Sequence, residues 1–515
     1  MIFTITTPLY YVNDRPHLGS IYTTIICDAI ARYFRLKNKK VNFITGVDEH
    51  GLKIQRTAKE KGLDPQSHCD IYADIFKNSW EQWNITNDQF VRTTSDKHID
   101  IVNKFFKKVE DSGDIKLDIQ KGWYCVGCEE FKDIEDDNSE KICSVHKKKL
   151  EWKNEENLFF RLSNYQEYIT ELVNKKDFIR PESRKNEIIQ FVNSGLRDFS
   201  ISRINLDWGI PVPGYKGHTF YVWFDALLGY INGYIKDNPT INLKDIESEN
   251  SPLFIHFIGK DILRFHAIYW PAMLASANMK APKMIFGHGF LTREGQKMGK
   301  TLGNVLDPQS LLTKYGIDPV RWYLLRNIQL GSDGDFQDKR FVDLINNDLA
   351  NTIGNLLNRT ISMSSKWFNN SSPNPLAIKD SEKYPLESKA QNLTNNYIDY
   401  LENYELHKAA ELIVLFASDV NTYLNDMTPW TLIKSIENTN QVAKVIYDVL
   451  ESCRIIGLLL NPFVPELSIK ILNQLNSKDD LEQWDSKIKF GLLKRNMKLP
   501  SPSPVISKLE YQDGK

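Results

Sequence analysis

Two hydrophobic periods alternate at the start of the chain. Ile2-Phe-Thr-Ile5 is β-rich and runs into Pro8, and from Leu18 apolar residues recur at Ile21, Ile25, Ile26, Ala29, Ile30 and Tyr33 with helical spacing. Val41-Asn-Phe-Ile-Thr45 is a second buried run, ending near Asp48-Glu-His-Gly51. Strand, helix and strand in this order predict a βαβ unit, and therefore a parallel sheet. Sheet-like runs return at Leu253-Phe-Ile-His-Phe-Ile-Gly-Lys-Asp261 and Met284-Ile-Phe-Gly-His-Gly289, with a helix through 265–275 between them. Between 116 and 215 the chain is rich in Lys, Glu, Asp and Asn, so the sheet is split in sequence by an insertion. Beyond about 340 the strand signal fades. Helical spacing at 341–367, 388–426, 441–460 and 465–475 predicts an α-helical carboxyl-terminal domain. The last fifteen residues, opening Ser501-Pro-Ser-Pro, read as a tail.

Length changes this picture only by requiring several cores: 515 residues predict about two to four domains. A 41% apolar and 25% charged composition is that of soluble globular protein. The net charge of −1 excludes a global positive field, so any nucleic acid must be met by local basic patches. The amino terminus lacks a basic stretch followed by a long apolar one and reads as a core strand, not a signal peptide. No apolar run reaches membrane-spanning length. Of the six cysteines, Cys27, Cys69 and Cys453 are scattered while three cluster between 125 and 143, which fits a reducing cytoplasm and one metal site.

That cluster has ligand spacing. Cys125-x2-Cys128 and Cys143-x2-His146 are two short bidentate pairs separated by fourteen residues. Four such ligands close a tetrahedron around Zn2+ with no open position, which makes the predicted metal structural. Polar flanks (Lys121-Gly, Glu129-Glu, Lys147-Lys-Lys) argue against ordinary core cysteines.

Pro16-His-Leu-Gly-Ser20 falls between the first strand and the first helix. This is the crevice side of an open parallel sheet, where a helix amino terminus offers N–H groups to phosphate. His17 can donate to phosphate oxygens, and Gly19 leaves room for a flat base. Downstream, Gly295-Gln-Lys-Met-Gly-Lys-Thr301 sets Lys297 and Lys300 among glycines, as in a mobile loop for a pyrophosphate. A P-loop is excluded, because Gly295 and Gly299 enclose three residues where that motif needs four, and Gly303 and Pro308 interrupt any following helix.

Taken in order around a split sheet, His17-Leu-Gly-Ser20 and Lys297-Met-Gly-Lys-Thr301 resemble the two marker motifs of class I aminoacyl-tRNA synthetases. Ser20 stands where the commoner motif has a second histidine, and Gly299 and Thr301 replace two serines. Leu9-Tyr-Tyr-Val-Asn13, Val47-Asp-Glu-His-Gly51, Tyr221-Val-Trp-Phe-Asp-Ala-Leu-Leu-Gly-Tyr230 and Phe257-Ile-Gly-Lys-Asp-Ile-Leu-Arg-Phe-His266 resemble the methionyl-tRNA synthetase branch. The resemblance implies an ATP-dependent methionine–tRNA ligase of α/β class. It implies a Rossmann-like catalytic domain in two halves (1–115 and 216–290) split by a zinc-binding connective insertion (116–215). A loop and stem-contact region (291–340) and an anticodon-binding helical bundle with its tail (341–515) complete it.

By the same resemblance, Leu9, Tyr11, Trp223, Ala226, Leu227, Tyr230, Ile262 and His266 surround the methionine side chain, and Asp48 holds its ammonium. An aromatic wall suits a polarisable thioether, each sulfur–aromatic contact being worth roughly 0.3–1.5 kcal/mol. ATP falls to His17, Gly19, Ser20, Asp261 (near the ribose), Lys297 and Lys300, of which His17 and the two lysines are catalytic. Asn355 and Arg359, on one helix face, and Trp430 are expected at the anticodon. The implied partners are ATP with Mg2+, L-methionine and tRNA(Met), the initiator included, for a cytoplasmic monomer without a membrane. A synthetase for leucine, isoleucine, valine or cysteine, and a non-catalytic RNA-binding paralogue, are the alternatives. The short insertion and closed zinc set oppose the former, and intact His17, Asp48, Lys297 and Lys300 oppose the latter.

Overall fold

The computed structural model describes residues 2–127, 129–132, 141–143, 147–204, 206–237, 243, 252–298, 304–376 and 386–511. The chain divides into two compact units, one of residues 1–27 with 41–288 and the other of 28–40 with 289–515.

In the first unit six parallel strands form the central sheet: β1 (Phe3–Tyr11), β2 (Val41–Asp48), β3 (Gln89–Arg92), β4 (Ile179–Arg180), β5 (Phe254–Gly259) and β6 (Met284–His288). Their order is β3-β2-β1-β5-β6-β4. β2 is buried at every position, as expected of a parallel strand covered on both faces. Because β1 pairs with β2 on one side and β5 on the other, the order reverses at β1. The carboxyl ends of β1 and β5 therefore flank the crevice where such sheets bind ligands. β4 comes from within the polar insertion. Its two residues are too few to leave a periodic signal, so sequence reading places no sheet strand there.

The register of β1 against β2 shifts between Thr6 and Leu9. Pro8 lies inside the shift, and a residue without an N–H cannot serve the ladder there. The irregularity re-aims the last turn of the strand, from Leu9 to Tyr11. The insertion's own sheet is antiparallel, with strand Ile115–Cys125 between Glu130–Lys132 and Glu151–Phe160, and Phe199–Ser200 at its edge.

The second unit is mainly helical. Helix Thr439–Leu460 is buried along nearly its whole length, the pattern of a helix surrounded by others. Its buried Glu451 is fully partnered: Arg454 pairs with it at 2.6 Å, and the N–H groups of Leu492 and Leu493 donate to it at 3.0 and 2.9 Å. The latter half of α1 (Leu18–Leu36) falls in this unit. There Asp28 is buried between Arg32, at 2.8 Å, and Arg321, at 2.7 Å.

Two sequence expectations change here. The helical spacing over 388–426 is two helices, Glu387–Glu402 and Leu406–Asp426, broken where Tyr404 takes a left-handed φ of 62°. The segment read as a tail is docked: Val505 is buried, and Leu509 exchanges reciprocal hydrogen bonds of 2.8 and 2.9 Å with the Asn346 side chain.

Candidate functional site

Asp48 ends β2 and stands in register with Tyr11 at the end of β1. It is buried, and its Oδ1 has no hydrogen-bond partner among the described residues. Burial, then the charge of Asp225, raises its pKa well above the ordinary carboxylate value against the lowering effect of the His50 N–H. Its neighbour Glu49, equally buried, is saturated by Arg92 at 2.7 Å and by the Thr94 hydroxyl and N–H at 2.6 and 3.2 Å. Of two adjacent buried acids, one is structural and the other has no cation partner among the described residues.

Several residues expected around the methionine side chain pack on common neighbours. Trp223 stacks on Phe265 with ring centroids 3.9 Å apart and meets His266 edge-on at 6.2 Å. Leu9 lies against Gly229, where a Cβ would come within 2.4 Å of its Cδ1. Leu9, Trp223 and Ile262 are partly buried against a core that contains Leu227 and Tyr230. Ala226 is buried on the same short helix, Val222–Leu227.

The hydrogen bonds fix the state of His266. Its Nδ1 lies 3.1 Å from the Ile262 carbonyl, which can only accept, so Nδ1 carries the proton. Burial lowers the pKa to about 4. The ring is therefore neutral near pH 7, and Nε2 accepts from the Tyr230 hydroxyl at 2.8 Å. Around Trp223 this leaves aromatic rings and an uncharged imidazole.

At the nucleotide end, His17 opens α1, its carbonyl accepting from Ile21 N–H at 3.1 Å. Its Nδ1 accepts the Ser20 N–H at 3.2 Å. Its pKa lies below the ordinary value because desolvation outweighs the nearby carboxylates of Asp261 and Asp14. A neutral ring with Nδ1 accepting keeps its proton on Nε2. A Cβ at Gly19 would sit 2.9 Å from His17 Cε1, so this glycine makes room for the histidine ring. Ser20 is buried, its carbonyl accepting from Tyr10 and Thr24 at 3.1 and 2.8 Å.

Cys125 and Cys143 are buried in one small cluster with Leu150. Each belongs to a hairpin: Cys125 pairs with Glu130, and Cys143 donates its N–H to Lys148 at 2.9 Å. Cys128 and His146 lie outside the described residues, among which no three His, Cys, Asp or Glu side chains gather as a metal site.

In the second unit Lys297 is exposed on strand Gln296–Lys297, which turns back from Leu291–Arg293 through left-handed Glu294 and Gly295. Gly299, Lys300, Thr301 and Gly303 lie outside the described residues. Arg359 and Trp430 come together, guanidinium to ring centroid 5.9 Å, with Asn425 accepting from Arg359 at 3.4 Å. Trp430 is 39% exposed, and Asn355 is exposed one turn before Arg359.

The sequence matches the class I tRNA synthetases (M) over residues 3–138 and 132–361, and the anticodon binding domain of methionyl tRNA ligase over 373–514. The chain belongs to the methionyl-tRNA synthetases. A methionine–tRNA ligase of Synechocystis sp. is 48% identical over 99% of this chain and 98% of its own length. The chloroplastic/mitochondrial ligase of Arabidopsis thaliana is 44% identical over 100% and 84%. Among solved structures, Mycobacterium tuberculosis methionyl-tRNA synthetase in complex with methionyl-adenylate superposes with a TM-score of 0.91 at 37% identity, covering 98% of this chain and 99% of that one. The chain is thus an ATP-dependent aminoacyl-tRNA ligase that activates methionine and charges tRNA with it. No described helix is long and apolar enough to cross a membrane.

Against this family frame, four residues near the site escape sequence reading. His50 and His98 both meet Asp225 at 2.6 Å, and these contacts overcome burial to bring the Asp225 pKa down to about 2. Glu129 is buried against Tyr11. His50 and Asp225 lie within the quoted motifs, but only the fold shows that they meet each other.

Burial of neutral His266 gives stability a pH dependence of definite sign. The unfolded chain takes up a proton near pH ~6.5, whereas the folded site resists until about 4. Stability is therefore lost as pH falls through that window, by on the order of 3 kcal/mol. Denaturant unfolding between pH ~7 and ~4.5 should show a smaller loss for His266→Gln than for the unaltered protein. Equal losses would mean that the imidazole charges freely in the fold.

Proposed function

We propose that methionine is held by its ammonium on Asp48 and by its side chain among Leu9, Tyr11, Trp223, Ala226, Leu227, Tyr230, Ile262 and His266. The observation that carries this reading is the buried, unpartnered Asp48 Oδ1 beside a neutral aromatic wall. A primary ammonium supplies both the missing donor and the missing charge. With the ammonium fixed, the methionine carboxylate attacks the α-phosphorus of ATP. A new P–O bond forms, the bond to pyrophosphate breaks, and the terminal ribose hydroxyl of tRNA later attacks the carbonyl and releases AMP.

ATP is assigned to His17, Gly19, Ser20, Asp261, Lys297 and Lys300. The Ser20 N–H engages Nδ1 of His17 and leaves its Nε2–H to donate to the phosphate oxygens that gain charge during attack. Lys297 and Lys300 would neutralise the departing pyrophosphate, and a donor of this kind typically contributes on the order of 3–4 kcal/mol to the barrier. ATP chemistry of this class implies Mg2+, to which no residue is assigned.

One structural Zn2+ is proposed on Cys125, Cys128, Cys143 and His146. The co-burial of Cys125 and Cys143 in one cluster supports it, and the metal would tie the two hairpins together. Asn355, Arg359 and Trp430 are proposed to read the anticodon of tRNA(Met), initiator included. A half-exposed tryptophan beside a guanidinium offers a base a surface for stacking. A cytoplasmic monomer belongs to the same proposal, and light scattering tests its oligomeric part.

In methionine-dependent pyrophosphate exchange, Asp48→Asn should raise the methionine KM by ~10- to 100-fold, the range for a hydrogen bond to a charged group. The ATP KM should hold, and an unmoved methionine KM would place the ammonium elsewhere. Elemental analysis of purified protein should find about one zinc per chain, lost in Cys125→Ser together with thermal stability. A metal-free, fully active protein would refute the zinc set. Trp430→Ala should cost about 1–3 kcal/mol of tRNA binding while pyrophosphate exchange stays at the unaltered rate. Equal loss in both assays would make Trp430 a packing residue.

A further inference from the structure

Glu129 sits in the turn between strands Ile115–Cys125 and Glu130–Lys132, on the hairpin that carries Cys125. Its surroundings are not those of a hairpin tip. It is 6% exposed and takes a left-handed φ of 53°, a conformation seldom adopted outside glycine, asparagine and aspartate. A residue held this way is over-determined by its neighbours, and here those neighbours belong to the amino-acid site. Oε1 accepts the Lys53 N–H at 2.7 Å and the Tyr11 hydroxyl at 3.3 Å. Oε2 accepts the Tyr124 hydroxyl. The Glu129 carbonyl accepts the Tyr221 hydroxyl at 2.6 Å, two residues before Trp223.

The fit leaves little slack. The single Tyr11 hydroxyl proton is shared between the Glu129 carboxylate and the His50 carbonyl, the nearer acceptor at 2.8 Å. A Cβ at Gly51 would lie 2.5 Å from the Tyr11 hydroxyl and 3.1 Å from Glu129 Oε1. The hairpin is anchored independently by Arg203, whose guanidinium lies 4.1 Å from the Tyr221 ring centroid and 5.6 and 5.4 Å from those of Tyr124 and Phe131. Glu129 therefore reaches the site from a rigid mount. It is also near enough for its charge to act on both Tyr11 and Asp48.

We propose that Glu129 is a positioning residue for methionine. It holds Tyr11 and the Gly51–Lys53 turn around Asp48, and so makes amino-acid affinity depend on the seating of the cysteine-bearing hairpin. The inference rests on the reading of Asp48 and Tyr11 as methionine contacts. It concerns a hydrogen-bond scaffold, so its signature is a split between the two substrates.

The test is pyrophosphate exchange by the full chain with methionine and ATP varied separately. Glu129→Ala should raise the methionine KM by about tenfold or more with the ATP KM held within about twofold. Glu129→Gln retains an oxygen acceptor for Lys53 and Tyr11 and should recover most of the loss, which also covers the case in which the alanine variant folds poorly. Glu129→Ala combined with Tyr11→Phe should be less than additive, because both act on one contact. An unmoved methionine KM, or a parallel rise for both substrates, overturns the proposal. Asp48→Asn run alongside separates the two readings. If it raises the methionine KM while the Glu129 variants do not, only the present inference fails. If neither moves it, the amino-acid site itself is misplaced.

Discussion

A carboxylate left buried without a cation is the constraint on which this site turns. Taking Asp48 out of water is costly unless a positive donor replaces the lost hydration, and none of the described residues supplies one to its Oδ1. Arg92 is committed to Glu49, the next residue along, and His50 and His98 are committed to Asp225. In the proposed reading this shortfall is what the ammonium of the amino acid would fill. The rest of the architecture keeps the shortfall in place: the irregular end of β1 at Pro8, the short helix with Trp223, and the hairpin that delivers Glu129.

Charge is confined to that one corner. A few side chains away, His266 is kept neutral by burial and locked in one tautomer by the Ile262 carbonyl, so the imidazole is polar only through internally paired groups. In the proposed binding mode the ammonium and thioether ends of one amino acid would meet opposite environments. Segregation of this kind gives orientation as well as affinity, because a reversed ligand would bury its ammonium against rings and leave Asp48 unpaired.

What sequence made legible follows from which interactions leave a local imprint. The alternation of strand and helix at the start and the helical carboxyl-terminal half are periodic, and each can be read within a window of a few turns. The proposed pocket rests on motifs, since Leu9, Asp48, Trp223 and His266 lie in short recognisable segments. The meeting of Asp225 with His50 and His98, across 175 and 127 residues of chain, leaves no such imprint. Nor does the docking of Glu129 on Tyr11, the two-residue β4, or the seat of Leu509 on Asn346. Tyr404 interrupts an otherwise continuous apolar stripe, and without a glycine or proline there the break between two helices has no local marker.

The packing of His17 on Gly19 reaches beyond geometry into how the motif can vary. Any side chain at position 19 meets the ring of His17, so the two positions share a single volume. Enlarging residue 19 requires the ring at 17 to move, so the setting of the histidine is fixed partly by an atom its neighbour does not have.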